Sequence, residues 1–175
     1  MIEPSSANLL AVLYNSTVLL SLALAYDLLV IPLFGRSTVL QRLLIGVGVG
    51  LFCLGVMMTP WRFAPGVIFD TRSVLLSISG LFFGVIPTLV AAVMASLFRI
   101  YQGGAGAMTG VLVIVGTSLV GIGWRFWRRP ALADMSWREL YLFGVAVHLV
   151  MVLLLLTLPQ PIANAVVSGV WAIVL

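Results

Sequence analysis

The residues best suited to binding chemistry lie in two short segments, FDTR and FRIYQGGAG, about 25 residues apart. Two guanidiniums can pair with carboxylates in a planar, bidentate geometry, and a phenol adds a further hydrogen bond. Adjacent glycines let a ligand approach backbone N–H groups, and a helix predicted just beyond them would direct its positive dipole end there. Together these features predict a site for a small anion. Its candidate residues are Asp70, Arg72, Arg99, Tyr101, Gly103 and Gly104.

Two further polar residues can each be interpreted in two ways. Asp70 either pairs with Arg72 or caps the helix that follows it. His148 lies among apolar residues in the middle of a predicted span, where an ionisable group is a candidate for ligand binding. A neutral imidazole there could equally bond to a neighbouring helix. We include His148 among the candidate ligand-binding residues.

Sites of other kinds are not indicated by the sequence. The five acidic residues are scattered, and the chain has one histidine and one cysteine, Cys53. No catalytic or nucleotide-binding motif appears, and no cluster with metal-ligand spacing. We therefore expect that this chain is not an enzyme and that it holds neither a metal nor a cofactor.

The composition requires a lipid environment. The chain is 62% hydrophobic and 8% charged, whereas soluble domains are about 45–50% apolar and about 25% charged. All nine cationic residues are arginines, and most lie between long apolar runs. This distribution indicates membrane orientation rather than nucleic-acid binding. The predicted fold is an all-α, polytopic membrane bundle.

Apolar runs long enough to cross a bilayer need about 20 residues. The predicted spans cover residues 7–34, 43–59, 108–126, 141–158 and 162–175. The last would rise only ~21 Å as a helix, so we expect it to continue beyond Leu175. All of these belong to a single transmembrane domain.

Residues 71–101 are apolar but contain Gly80, Gly84 and Pro87 near their middle. One straight helix would separate Arg72 from Arg99 by ~40 Å. A helical hairpin, either re-entrant or crossing twice, would bring both to one side. Broken helices at membrane depth usually mark binding sites.

The arginines decide between the straight helix and the hairpin. Two arginines follow the first span, and four lie at or beyond the end of the span over 108–126. Both groups are cytoplasmic, as positive-inside topology requires, only if an even number of crossings separates them. The hairpin satisfies this condition. It places the N-terminus outside and the C-terminus in the cytoplasm.

Small residues also recur at a spacing of four. The pairs are Gly46–Gly50, Gly80–Gly84 and Gly106–Gly110. Such pairs are typical of closely packed membrane helices. Packing is therefore the predicted role of all three.

The stretch from Ala64 to Gly123 resembles the five-transmembrane receptor domain of the LytS/YhcK type (5TMR-LYT). The family pattern is an acidic or amide residue two before an arginine, a glycine-rich stretch with a proline, and an arginine followed by Gly-Gly. In this sequence these are Asp70-Thr71-Arg72, then Gly80, Gly84 and Pro87, then Arg99 and Gly103-Gly104.

The resemblance implies a membrane sensor of a bacterial histidine kinase or diguanylate cyclase, usually homodimeric, in the inner membrane. It also implies a layout similar to the substrate-binding subunits of energy-coupling-factor transporters. Some kinase members respond to pyruvate, a small carboxylate. We therefore expect a receptor that binds a small external anion and signals to a cytoplasmic kinase, GGDEF or EAL domain. The alternative is a subunit that captures or transports a small solute.

Overall fold

The structure, a computed structural model, describes residues 13, 17, 20, 21, 38–58, 61–64, 67–69, 71–128 and 135–157. The predicted spans over 7–34 and 162–175 therefore lie almost wholly outside the described residues. Asp70 also lies outside them.

The described elements are five helical segments and one short ribbon of two strands. In chain order they are α1 (Val39–Met58), β1 (Trp61–Ala64), β2 (Val67–Phe69), α2 (Arg72–Ile78, continued as a π-helix over Ser79–Phe83), α3 (Val85–Gln102), α4 (Ala107–Arg128) and α5 (Trp137–Leu155). Within these residues, α1, α3, α4 and α5 are long and apolar enough to cross a membrane. The prediction of an all-α polytopic membrane domain is confirmed. The antiparallel β1–β2 ribbon is an addition that the sequence did not predict.

Helices α1 and α5 begin about four residues before the predicted spans because their first turns are polar. The Thr38 N–H donates to Gln41 Oε1 (2.8 Å), and the Gln41 N–H donates back to Thr38 Oγ1 (3.3 Å), which forms a capping box. At α5, Ser136 Oγ accepts from the Glu139 N–H (3.3 Å). A criterion based on apolar residues alone excludes these capping turns.

Helices α1 and α3 run parallel to each other and pack closely. A Cβ on Gly46 would lie 2.8 Å from the Pro87 carbonyl oxygen. Near the other end of the pair, Gln102 Nε2 donates to the Met57 carbonyl (2.9 Å). Contacts thus advance in the same direction along both helices, and both helices end on the same side of the bundle.

Helix α2 runs parallel to α4, whereas α3 runs antiparallel to it. Ser77 packs on Gly121, and further along, the Leu81 carbonyl contacts Arg125. In contrast, Arg99 near the end of α3 packs on Gly110 near the start of α4. The chain therefore folds back between α2 and α3, and the predicted helical hairpin is confirmed.

The turn of this hairpin lies at Gly84. Its φ of 89° and ψ of −169° form a conformation open essentially only to glycine. The hydroxyls of Ser79 and Thr88 are 3.0 Å apart, although nine residues of straight helix would separate them by ~13 Å. We call this side of the bundle the Gly84 end. The opposite side, where α2 begins and α3 ends, is the Gly103 end.

Arg125 closes the hairpin at the Gly84 end. Its Nη1 donates to the carbonyls of Leu81 (2.8 Å) and Phe82 (3.0 Å). The last carbonyls of a helix have no partner within it, so a side chain must satisfy them when they are buried. The sequence indicated only that Arg125 belongs to a cytoplasmic loop. In the structure it also holds the broken helix in place.

Arg125→Gln should therefore destabilise the domain by about 2 kcal/mol, because hydrogen bonds from a charged donor are lost from two carbonyls. The thermal unfolding midpoint of the purified protein in detergent micelles measures this. Arg138→Gln is the matched control, since Arg138 is an exposed arginine at the start of α5. Equal midpoints for the two variants would contradict a structural role for Arg125.

Candidate functional site

Arg99 is the most deeply buried charged side chain in the described part of the chain. Only 1% of it is exposed, and its Nη1 donates to the Gly103 carbonyl (2.9 Å). Its aliphatic stem lies across α4, where a Cβ on Gly110 would be 2.6 Å from Nε and 3.0 Å from Cδ. Gly110 therefore provides the space in which this arginine is buried.

Arg72 lies at the same Gly103 end, at the first position of α2, and is 5% exposed. The next residue, Ser73, donates to Met151 Sδ on α5 (3.7 Å). This contact places the start of α2 within the bundle rather than on its rim. The hairpin thus brings two buried arginines to one end of the domain.

Both arginines have interaction partners within the protein. Of the five acidic residues in the sequence, the described ranges include only Glu139. Glu139 lies at the Gly84 end, where it pairs with Arg128. Removing guanidiniums from water is expensive unless anionic or carbonyl oxygens surround them.

Two buried polar atoms beside these arginines lack a hydrogen-bond partner within the described residues. They are Oγ1 of Thr71, next to Arg72, and Oε1 of Gln102, one helical turn from Arg99. Native proteins leave few such atoms, and each one needs an explanation such as a ligand or water. Unsatisfied polar atoms therefore occur at the same end as the two arginines.

The glycine turn of the predicted site connects α3 to α4. Gly103 and Gly104 have φ values of 66° and 88°, so a side chain would be strained at either position. The Gly103 N–H donates to the Ile100 carbonyl (3.0 Å) and ends α3. This amide is therefore used within the protein, although the sequence predicted that it would be available to a ligand.

Two of the candidate residues lie apart from the arginines. Tyr101 is 85% exposed, and its ring contacts Phe98 with centroids 6.2 Å apart. His148 is exposed on the outer face of α5, where Nδ1 lies 2.8 Å from the Gly144 carbonyl of the same helix. Arg72, Arg99 and the glycine turn therefore all lie at the Gly103 end, and neither Tyr101 nor His148 is buried with the two arginines.

Three residues at this end are additions to the sequence-based site. Thr71 lies in the FDTR segment and Gln102 in the FRIYQGGAG segment, each between residues of the predicted site. This position in the sequence could have identified them as candidates. Gly110 belongs to a pair predicted to pack helices, and helix spacing alone does not identify Arg99 as its neighbour. Thr109, beside it, is 7% exposed and its hydroxyl lies 3.2 Å from that of Thr157.

The family model described as 5TMR of 5TMR-LYT (5TM-5TMR_LYT) matches residues 29–174. No curated protein and no solved structure matches the chain.

Proposed function

Since this chain belongs to the 5TMR-LYT family of membrane sensory domains of signalling proteins, we propose that it is a receptor for a small anion, which binds at the Gly103 end. The observation that carries this proposal is the burial of Arg72 and Arg99 at that end, 5% and 1% exposed. A carboxylate satisfies a desolvated guanidinium with two parallel hydrogen bonds. The same ligand would occupy the region of the unsatisfied Thr71 and Gln102 atoms.

The ligand reaches this site from outside the cell. The described arginines of the Gly84 end are Arg42, Arg125, Arg128 and Arg138, and an excess of arginine marks the cytoplasmic side of a membrane protein. The Gly103 end is therefore the external one in this proposal. The protein lies in the inner membrane of a bacterium, with its N-terminus outside and its C-terminus in the cytoplasm.

Helix α4 connects the site to the cytoplasmic side. Near its start, Gly110 underlies Arg99, and near its end, Arg125 holds the hairpin turn. One turn further, Arg128 pairs with Glu139 at the start of α5. A ligand biases signalling only if it binds one of two states more tightly. A movement of Arg99 relative to α4 would distinguish two such states. Because α4 contacts α2 through Arg125 and α5 through Arg128, both helices would respond to this movement.

The signal then passes to a cytoplasmic output domain, a GGDEF or EAL module or a histidine kinase, across a homodimer. This part of the proposal is supported by the family alone. The described domain supplies the rigid connection, because α4 spans Ala107–Arg128 without interruption.

Arg99→Ala tests the binding site. Losing one partner of a buried, charge-assisted pair costs about 2–5 kcal/mol, so we expect small-carboxylate affinity to fall at least about 30-fold. The measurement is the rise in thermal unfolding midpoint of the detergent-solubilised protein on titration with lactate and with pyruvate. Arg99→Lys keeps the charge but not the bidentate geometry, and it should weaken binding without removing the cation.

Arg138→Ala is the control, because that side chain is exposed at the opposite end. An undiminished carboxylate response in Arg99→Ala and Arg99→Lys would refute the assigned site. Uptake of bound radiolabelled carboxylate into proteoliposomes would instead favour a transport subunit over a receptor.

A further inference from the structure

Helix α5 is the least covered of the described membrane helices. Its most apolar stretch is 11% buried, against 28% or more in each of the other three spans. Within α5 only Phe143 and Val147 are buried. A groove of about 530 Å³ runs along the outer face from Leu140 to Val152. In its middle lie His148 and Gly144, and a Cβ on that glycine would meet nothing within 4 Å. This face therefore has room for a close neighbour and carries an imidazole at its centre.

The imidazole of His148 needs a hydrogen-bond donor from outside the described helices. Its Nδ1 lies 2.8 Å from the Gly144 carbonyl oxygen. A carbonyl only accepts, so in the neutral ring Nδ1 carries the proton and Nε2 is an acceptor. Within the described residues, His148 makes this hydrogen bond through Nδ1 and none through Nε2. Lipid tails offer no donor to a polar atom in the middle of a span, so a side chain with an N–H or O–H group is required.

The chain that follows α5 is in position to cover this face. Helix α5 finishes at the Gly103 end, where the Thr157 hydroxyl lies 3.2 Å from that of Thr109 at the start of α4. Residues 158–161, Leu-Pro-Gln-Pro, include two prolines, which do not continue a helix. The apolar run over 162–175 begins directly after them. Helices joined by such a short connection are antiparallel neighbours, and the inner face of α5 is already packed. The run is therefore expected to return along the outer face.

Distance from the connection identifies the side chain that reaches His148. His148 precedes Thr157 by nine residues, and Trp171 follows the first residue of the run over 162–175 by nine. In two antiparallel helices both then lie ~13 Å from the connection, at the same depth. The indole Nε1–H of Trp171 is a donor without acceptor capacity, which suits the imidazole Nε2. Two other side chains of the run can donate, but they lie about one helical turn or more nearer to the connection: Asn164 and Ser168.

We infer that residues 162–175 form a helix that lies in the groove of α5, antiparallel to it, with the Trp171 indole N–H donating to His148 Nε2. This inference does not depend on the proposed anion site. It gives His148 a role in joining two spans rather than in binding ligand, since interhelical hydrogen bonds hold membrane helices together. A second copy of this chain and lipid are the alternative occupants of the groove.

Disulfide cross-linking of the full chain in membranes distinguishes these occupants. Val152→Cys is combined with Val167→Cys, each five residues from the connection, in a Cys53→Ala background that removes the native thiol. Oxidation should join the two thiols within one chain, so a maleimide–polyethylene glycol reagent added after denaturation should leave the monomer band unshifted. The matched control combines Val167→Cys with Leu51→Cys, because Leu51 is exposed on α1 seven residues before that helix ends. In the control both thiols should react and shift the band.

Two results of this experiment would overturn the inference. A disulfide-linked dimer of the Val152→Cys, Val167→Cys chain, or of Val152→Cys alone, would assign the groove to a second copy. A monomer band that shifts as far as the control would leave the groove to lipid.

Substitutions at the two partners test the hydrogen bond itself. Trp171→Phe removes the donor and leaves the His148 acceptor unsatisfied, so we expect the thermal unfolding midpoint in detergent micelles to fall by about 2–4 °C. His148→Leu alone should lower it as well, because the indole N–H then loses its acceptor. In the Trp171→Phe background, however, His148→Leu should raise the midpoint, since it removes the unsatisfied group. If His148→Leu lowers the midpoint equally in both backgrounds, the two side chains are not paired.

Discussion

Alanine at Gly121 is expected to destabilise this domain severely, although it adds only one methyl group. Its Cβ would overlap the Ser77 carbonyl oxygen and lie 2.9 Å from the carbonyl carbon and 3.0 Å from the Cα of the same residue. These are backbone atoms of α2 and cannot rotate away. Gly80 makes the reciprocal approach, since its Cβ would lie 2.7 Å from the Ile122 nitrogen. Helices α2 and α4 must therefore separate.

Overpacking in a tight interior costs about 1–3 kcal/mol and occasionally more. Because the clash at Gly121 is between two backbones, we expect Gly121→Ala to lose at least about 3 kcal/mol. For a domain of this size that corresponds to a fall of roughly 10 °C in the thermal unfolding midpoint. Tryptophan fluorescence in detergent micelles reports the transition.

Gly123→Ala is a matched control two residues further along the same helix. A Cβ there meets nothing within 4 Å, and alanine is the better helix former. We therefore expect its midpoint to equal or slightly exceed that of the wild type. If Gly121→Ala and Gly123→Ala unfold at the same temperature, the close crossing of α2 and α4 is wrong.

The fold-back of residues 72–102 was predictable because it follows from charge. Arginines in two separate loops can share one side of a membrane only if the chain between them crosses an even number of times. The hairpin that results places Arg72 and Arg99 at one end. Neither the closing role of Arg125 nor the π-helix before Gly84 was predictable, since each depends on contacts between α2 and α4 some 40 residues apart.

The glycine spacing shows why the sequence predicts only part of the packing. Gly46 and Gly50 both lie against α3, as a small-residue pair predicts. Gly84 instead forms the hairpin turn, and Gly110 accommodates Arg99. A spacing of four identifies one face of a helix, but it does not identify what lies against that face.

Helix periodicity explains the outcome for Tyr101. Residues two apart on a helix point in nearly opposite directions, whereas residues three apart are neighbours. Because α3 continues to Gln102, Tyr101 faces away from Arg99 and is exposed, whereas the Gln102 side chain packs inside the bundle against α1. In the sequence alone, the segment from Arg99 to Gly104 is one polar cluster. The predicted hairpin segment ended at residue 101, one residue before the end of α3, so the helix boundary was close but the direction of each side chain was not predicted.

Gly110→Ala should retain the stability of the fold and lose the response to ligand, whereas Gly121→Ala should lose stability. A Cβ at Gly110 would lie 2.6 Å from Arg99 Nε and 3.0 Å from Cγ and Cδ. These atoms belong to a long side chain that can withdraw, so α3 and α4 need not separate. The guanidinium, however, would leave the position from which it donates to the Gly103 carbonyl. We expect affinity for small carboxylates to fall at least about tenfold.

Titration of lactate and pyruvate against the unfolding midpoint measures both properties in one experiment. Gly123→Ala again serves as the control, since it adds the same methyl group to α4 without a neighbour. A Gly110→Ala protein that folds and binds these acids as tightly as the wild type would show that the buried position of Arg99 is not the binding position. If its unfolding midpoint falls as far as that of Gly121→Ala, the contact at Gly110 is a helix-packing contact. The Arg99 side chain beside Gly110 can move, whereas the α2 backbone beside Gly121 cannot. Alanine substitutions at these two glycines of α4 therefore test ligand binding and helix packing separately.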